Sequence, residues 1–435
     1  MIGIRREDKN EWERRVPLTP DHVTGLVENH GLSIVVQPFR RRAFADSDYR
    51  KAGAELNEDL SGCDLILGVK ETPIDQISPR KVYVCFSHTT KGQGYNMPTI
   101  RRLLDLGCTL IDYEHVVDER GRRLIFFGRH AGYAGMIDSL WALGRRFAAE
   151  GLPTPFERVR LAHDYSSLDE ATRHISWIGE DLRRAGLPPE IQPVVCGFTG
   201  SGNVTHGALE IIQRLPTIDL VAEELDEVMR DENLPRNVVF TVKFKRDQRY
   251  VHRSGGGGDP DDLDTHPDRY ESGLPRWLHH LTALVNGAFW RPPQPRLLTR
   301  EDLRCLWGRP GRPRLRVIAD ISCDIDGAIE TTIKATTPGD PVYVFDLDRD
   351  EALDGVEGNG PVMMTVDNLP CQLPKESSQH FGDTLVRFVP ALARCDWARP
   401  LAELNLPEAI ERAVVIHRGE LTPGFAYVQE YLESS

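Results

Sequence analysis

Residues 194–215 read VVCGFTGSGNVTHGALEIIQRL. An apolar run rich in valine leads into Gly-Ser-Gly, and helix-favouring residues follow. Strand, glycine turn and helix in that order are the context that a dinucleotide fingerprint needs. Gly200 and Gly202 let the backbone pass close to a pyrophosphate. A helix starting near Asn203 and Val204 offers its amides and the positive end of its dipole. The spacing departs from the usual pattern, because the third glycine is due at 205, where Thr205 stands, and arrives at Gly207. An ordinary tight strand–helix turn has the same outline. Further on, an acidic residue normally takes the ribose hydroxyls of NAD, and an arginine the extra phosphate of NADP. The strand-like IDLVA (218–222) runs into Glu223 and Glu224 with no arginine close behind, which leans towards NAD.

Outward from this turn, strands and helices alternate. LSIVVQP (32–38), CDLILGV (63–69), KVYVCF (81–86) and CTLIDYE (108–114) read as strands. DHVTGLVENHG (21–31) and MPTIRRLLDLG (97–107) read as helices, each closed by a glycine suited to a left-handed cap. Such alternation predicts a mostly parallel, covered sheet. The small-residue run AGYAGMIDSLWALGRRFAAEG (131–151) predicts a long helix leading into a second α/β region, with further strands in LRVIADISCD (315–324), VYVFDL (342–347) and VMMTVD (362–367). RSGGGGDPDDLDTHPDRYESG (253–273) reads as a flexible surface loop. LPKESSQHFGDTLVRFVPALA (373–393) reads as one long amphipathic helix carrying the chain back to the first domain. The expected architecture is α/β: two Rossmann-like domains with a cleft between them. The first comprises 1–130 and 375–435; the second, dinucleotide-binding, comprises 131–374.

A length of 435 residues calls for more than one core. A net charge of −13 speaks against nucleic acid and anionic membranes as partners. The eight cysteines show neither CxxC nor zinc-like spacing, so no metal is expected and a reducing compartment is. The charged start MIGIRREDKNEWERR does not read as a signal peptide, and no apolar run is long enough for a membrane span.

Polar residues gather near the predicted strand ends and turns of the first domain: Glu13, Arg14 and Arg15; Lys70 and Glu71 in GVKETP; His88, Lys91 and Gln93 in FSHTTKGQ; Glu114 in IDYEH; Arg122 and Arg123 in ERGRRLIFFG. The carboxyl-terminal ends of parallel strands converge on one sheet edge, so these groups can share one site. Arginines grip carboxylates in a two-pronged fashion. A partly desolvated lysine beside a histidine makes a pair able to exchange protons near neutrality. Each residue alone is as well explained by a solvated charge or a structural histidine.

Seven stretches together resemble the lysine–2-oxoglutarate reductase half of the bifunctional aminoadipic semialdehyde synthases of animals and plants: RREDKNEWERRVPLTPDH, LILGVKETP, CFSHTTKGQ, IDYEHVVDERGRRLIFFGRHAGYAGMID, FTGSGNVTHGA, ADISCDIDGAIE and DNLPCQLPKESSQHFGD. They are similar, more distantly, to fungal saccharopine dehydrogenases and to alanine dehydrogenases. The resemblance implies NADPH-dependent reductive condensation of L-lysine with 2-oxoglutarate to saccharopine, and the reverse, with NADH as a possible substitute. It puts the acid–base pair on Lys70 and His88, tuned by Glu71, Lys91 and Glu114. Substrate binding falls on Arg15, Gln93, Arg123, Phe127, Asp320, Ile321 and Ser322. Cofactor binding falls on Arg122, Asn203, Val204, Ala319, Val366, Asp367, Asn368 and Leu369, in addition to Gly200, Gly202 and Glu223 read from the turn and the strand after it. The glutamate-forming half of the bifunctional enzymes has no counterpart in these stretches, so a separate enzyme acting on saccharopine is expected, and the compartment expected is the cytoplasm. An alanine-dehydrogenase-like or opine-type dehydrogenase and a non-catalytic nucleotide-binding relative are the alternatives.

Overall fold

In the computed structural model the described residues are 1–231, 233–255 and 259–434. The chain divides into two compact units, Met1–Phe127 with Pro374–Ser435, and Gly128–Leu373.

The first unit opens on a strand that the sequence reading passed over. β1 (Ile2–Ile4) lies in the middle of the sheet, parallel to β2 (Ile34–Val36) on one side and to β4 (Leu65–Lys70) on the other. The short β3 (Glu55–Leu56) extends one edge, and β5 (Val82–Phe86) and β6 (Thr109–Asp112) continue the other, all parallel. Helices Pro20–His30 and Met97–Asp105 form where the apolar periodicity puts them, with Gly31 and Gly107 both at φ 64° beyond their ends.

In the second unit β7 (Val194–Thr199) is buried throughout, and helix Asn203–Ile212 follows it. β8 (Thr217–Leu220) forms the edge of the sheet, because β9 (Val239–Phe244) inserts between it and β7. β10 (Tyr250–His252) and β11 (Tyr270–Ser272) make an antiparallel pair around helix Pro260–Thr265. Segment 253–273 is therefore not the plain loop expected: Leu263 and Tyr270 are buried, and the Tyr270 hydroxyl donates to Asp262 at 2.9 Å. Gly256–Gly258 of its glycine run lie outside the described residues. β12 (Ala283–Asn286), β13 (Val317–Asp320), β14 (Val342–Asp346), β15 (Glu351–Asp354) and β16 (Val362–Met364) complete a sheet of order β15-β14-β16-β13-β12-β7-β9-β8. Among the described strands of this sheet β14 alone is reversed: it pairs antiparallel with both β16 and β15, so β15 runs in the common direction.

The long helix Gly128–Ala149 packs on one face of this second sheet, with Ile137, Leu140 and Phe147 in the core. The returning segment is two helices, Pro374–Leu385 and Val389–Arg394, not one. Pro390 has no N–H to give to the carbonyl of Val386, so a continuous helix would lose that bond and meet the proline ring. The chain ends in the first unit, where β17 (Val414–His417) pairs antiparallel with β6 and hairpins into β18 (Glu420–Leu421). Among the described residues no helix is long and apolar enough to cross a membrane.

Candidate active site and dinucleotide turn

In the first unit, Lys70 ends β4, and His88 lies two residues past the end of β5. Lys70 Nζ and His88 Nε2 are 3.4 Å apart. The β4–β5 ladder shifts register between Leu67 and Lys70, which takes backbone amides out of the regular pairing. Glu7, just beyond β1, accepts them: Val69 N–H at 2.7 Å and Lys70 N–H at 3.1 Å. His88 adopts φ 52°, a left-handed conformation unusual for a side-chain-bearing residue. Its carbonyl accepts from Asn96 at 2.8 Å. The buried Asp112 carboxylate accepts from the Ser87 amide and hydroxyl and from the Glu114 amide, fixing the turn on either side of it.

The electrostatics follow from this packing. Burial lowers the Lys70 pKa, and the positive charges of Arg15 and Lys9 lower it further. Burial and then Lys70 push His88 from its usual range to about 4, so at pH 7 the imidazole is neutral, with its Nε2 in hydrogen-bond reach of Lys70 Nζ. Burial drives Glu7 up to about 7, with Arg5 opposing and Glu13 adding to the rise. Glu71 pairs with Lys9 at 2.6 Å. Glu114 is gripped by Lys91 at 2.7 Å and by Arg123, and although burial pulls the other way these partners leave it below the usual range.

Arg15 is buried and held bidentate by Glu13 through Nε (2.7 Å) and Nη2 (2.5 Å), with its guanidinium 4.3 Å from the Phe127 ring centroid. Gln93 is exposed and accepts from the Tyr95 hydroxyl at 2.8 Å. Arg122 is exposed and tied to Asp118 of its own turn at 2.8 Å. Lys70, His88, Glu71, Glu114, Lys91 and Arg123 are thus linked through direct pairs or mutual charge, whereas Arg122 is engaged locally. Glu7, absent from the expectations, is the buried carboxylate that holds the end of β4. Applying the strand-end rule to IGIRRED would have found it.

In the second unit, Gly200 adopts φ 91°, and a Cβ there would lie 2.6 Å from the Gly287 carbonyl oxygen. Nothing lies within 4 Å of where a Cβ on Gly202 would sit, so the turn keeps open space on that side. Helix Asn203–Ile212 starts immediately after it. This cradle fits a dinucleotide pyrophosphate. Thr205 replaces the expected third glycine because its hydroxyl caps the strand end, donating to the Thr199 carbonyl at 3.0 Å. Gly207 instead permits helix–helix contact: a Cβ on it would meet the Arg129 carbonyl at 2.1 Å, and one on Gly132 would meet the Val204 carbonyl at 2.0 Å.

Asp320, at the end of β13, is buried and accepts from Thr332 (2.6 Å) and Asn286 (2.9 Å). Burial raises it to about 6 against those bonds. Ser322 donates to the Ala288 carbonyl at 3.0 Å. Ala319, Ile321, Val366 and Leu369 have core-packed side chains, while Asp367 is exposed and Asn368 half-buried. Glu223 is not brought to the turn. It follows the edge strand β8, accepts from Gln248 at 2.8 Å, and does not line the cavity beside Gly200 and Gly202.

Two eight-stranded sheets, the second with a glycine turn at the end of a central parallel strand, define a dinucleotide-binding dehydrogenase fold. The chain belongs to the alanine dehydrogenase/PNT family, whose N-terminal domain matches residues 3–134 and whose C-terminal domain matches residues 282–424. It is 39% identical over 447 residues to the mitochondrial alpha-aminoadipic semialdehyde synthase of Bos taurus, covering 100% of this chain and 48% of that protein. It therefore spans about half the length of this curated relative. It is 25% identical to the saccharopine dehydrogenase [NAD(+), L-lysine-forming] of Emericella nidulans, over 88% of this chain and 90% of the other. An L-alanine dehydrogenase structure superimposes with TM-score 0.62 at 19% identity, covering 99% of each chain, a likeness of fold.

Proposed function

We propose that the protein is a saccharopine-forming oxidoreductase, condensing L-lysine with 2-oxoglutarate and reducing the product with NADPH. The observation that carries this reading is the Lys70–His88 pair, 3.4 Å apart at two neighbouring strand ends and tuned away from ordinary basicity, in a chain aligned over its whole length with a semialdehyde synthase.

The substrate ε-ammonium must lose a proton before it can attack the ketone. Neutral His88 Nε2 accepts that proton. The amine then forms the C–N bond, the ketone oxygen becomes a hydroxyl, and Lys70 Nζ protonates it so that it leaves as water, giving the imine. NADPH, when bound, supplies the hydride that completes the C–H bond. Lysine, 2-oxoglutarate, NADPH and one proton become saccharopine, NADP+ and water. Proton transfer by one positioned group is worth about 100- to 10,000-fold. Carboxylates of the substrates suit the cationic groups of the first unit, Lys91, Arg123 and Arg15, the last stacked on Phe127; Gln93 is assigned to the same substrates. Glu71 and Glu114 tune the pair. Arg122 is assigned to the cofactor, as are the main chain of Gly200 to Val204 and the segments Ala319–Ser322 and Val366–Leu369. The first compact unit is taken as the substrate domain and the second as the dinucleotide-binding domain. The eight free cysteines suit a reducing compartment, taken here as the cytoplasm.

The test is the loss of NADPH absorbance with lysine plus 2-oxoglutarate, each omitted in turn, and NADH in parallel. Turnover requiring both substrates is expected. Turnover with alanine and pyruvate instead, or none in a protein that binds NADPH, overturns the reading.

A further inference from the structure

The adenosine side of the dinucleotide turn is decided by which strand lies beside β7. That strand is β9, not β8, and its register is level with β7: Thr199 stands opposite Phe244. The residue after Phe244 therefore leaves the sheet at the same height as Gly200. In a fold of this kind, the end of the strand next to the glycine turn carries the group that meets the adenosine ribose. Here that end reads Lys245-Arg246-Asp247-Gln248-Arg249.

A cavity of about 410 Å³ opens at this place, lined by Gly200 and Gly202 and by four basic side chains, Lys245, Arg246, Arg249 and Arg291, against one acidic side chain, Asp264. Lys245 is exposed. Arg246 is half-buried and reaches Asp264 at 2.8 Å. Arg249 is only 8% exposed, yet among the described residues no carboxylate lies in ion-pair reach of it and its Nε has no hydrogen-bond partner. An arginine buried against Tyr250 with an unanswered N–H is costly unless an anion completes it. The local excess of positive charge stands out in a chain of net charge −13.

We propose that Lys245, Arg246 and Arg249 form a subsite for the 2′-phosphate monoester of an adenosine-containing dinucleotide, and that this subsite, not Glu223, sets the preference for NADP over NAD. Lys245 and Arg246 meet the phosphate as it arrives, Arg246 exchanging part of its contact with Asp264 for the phosphate oxygens. Arg249 supplies fixed N–H donors from the wall. The inference rests on the dinucleotide reading of the turn, and is independent of which amino acid the enzyme acts on.

The test is calorimetric titration of the full chain with adenosine 2′,5′-bisphosphate and with 5′-AMP, in the wild type and in Lys245→Ala/Arg246→Ala. These two side chains reach solvent, so the variant is chosen over one at buried Arg249; equal thermal midpoints check its folding. The wild type should bind the bisphosphate at least about tenfold more tightly than 5′-AMP, and the preference should shrink with added salt. The double variant should lose the preference while its affinity for 5′-AMP stays within about twofold. Equal binding of the two nucleotides to the wild type overturns the subsite, and so does a preference that survives in the folded double variant. If the preference behaves as expected but lysine with 2-oxoglutarate gives no turnover, the saccharopine reading fails and the subsite stands.

Discussion

Two strand ends carry the chemistry of this protein in opposite ways. Around Lys70 and His88, carboxylates are the anchors, held by main-chain amides and by other side chains: Glu7 by two backbone amides, Asp112 by a hydroxyl and two backbone amides, Glu114 by two cations. Around Gly200, the backbone is held by the absence of side chains: Gly200 against Gly287, and Gly207 against Arg129 and Gly132. The first region is sensitive to a change of charge at constant shape. The second is sensitive to a single added methyl group that carries no charge. A substitution that separates function from folding must therefore be isosteric in the first and is hard to find in the second.

The sharpest break of this contrast is Lys70→Met, which keeps the stem and removes the amine. Steady-state assays with lysine and 2-oxoglutarate should show turnover lower by about 100- to 10,000-fold, with the affinity for adenosine 2′,5′-bisphosphate unchanged. Near-normal turnover would take Lys70 out of the proton path.

Next in size is Glu7→Gln, again isosteric. Glu7 ordinarily titrates at 4.5 and is raised to about 7 in the folded chain. A raised carboxyl contributes stability that is full below 4.5 and is lost as pH climbs through 7, because the unfolded state gives up its proton first. Between those limits the wild type should lose of order 1–3 kcal/mol relative to Glu7→Gln, read as the difference in urea midpoints at several pH values. Titration of His88 is common to both proteins and cancels in the difference. A difference flat with pH would mean that Glu7 is ionised throughout and that its bonds to Val69 and Lys70 outweigh burial.

On the glycine side, Gly200→Ala must either strain a φ of 91° or push away the Gly287 carbonyl. Left-handed alanine costs about 1–2 kcal/mol, so NADPH affinity should fall about tenfold or more, measured by fluorescence titration. Gly202→Ala, which meets nothing, should be milder in the free protein and should show its effect only when nucleotide is added.

What the sequence disclosed differs between the two regions in the same physical terms. Residues at the ends of β4 and β5 were legible because runs such as CDLILGVK and KVYVCFSH end abruptly in polar groups. β1 was not, since three apolar residues before Arg5 make no periodic pattern, and with it Glu7 was missed. In the second unit the strand, glycines and helix of 194–215 were legible from local order alone. The identity of the neighbouring strand was not. VVFTVKF (238–244) is as apolar and β-branched as IDLVA, and nothing local says which of the two pairs with β7; the sheet is completed by long-range packing that buries β9 and leaves β8 half-exposed. The split of the 374–394 segment was written in Pro390. The buried Tyr270 and Leu263 within 253–273 were masked by the charged residues around them.

The smallest expected effect tests that strand exchange directly. If β8 met the ribose, Glu223→Ala would remove the group that repels a 2′-phosphate and would move the NADPH/NADH ratio of kcat/KM by tenfold or more. With β9 in that position, Glu223 only shares Gln248 and stands within electrostatic reach of Lys245. Its removal leaves the basic side chains in place and slightly less neutralised, and surface charges in water interact weakly. The ratio should therefore rise by no more than about twofold, and salt should erase even that. The comparison is decisive because the two strand orders predict the same sign and differ only in size. Only an effect near tenfold, persisting in salt, would return the ribose to β8.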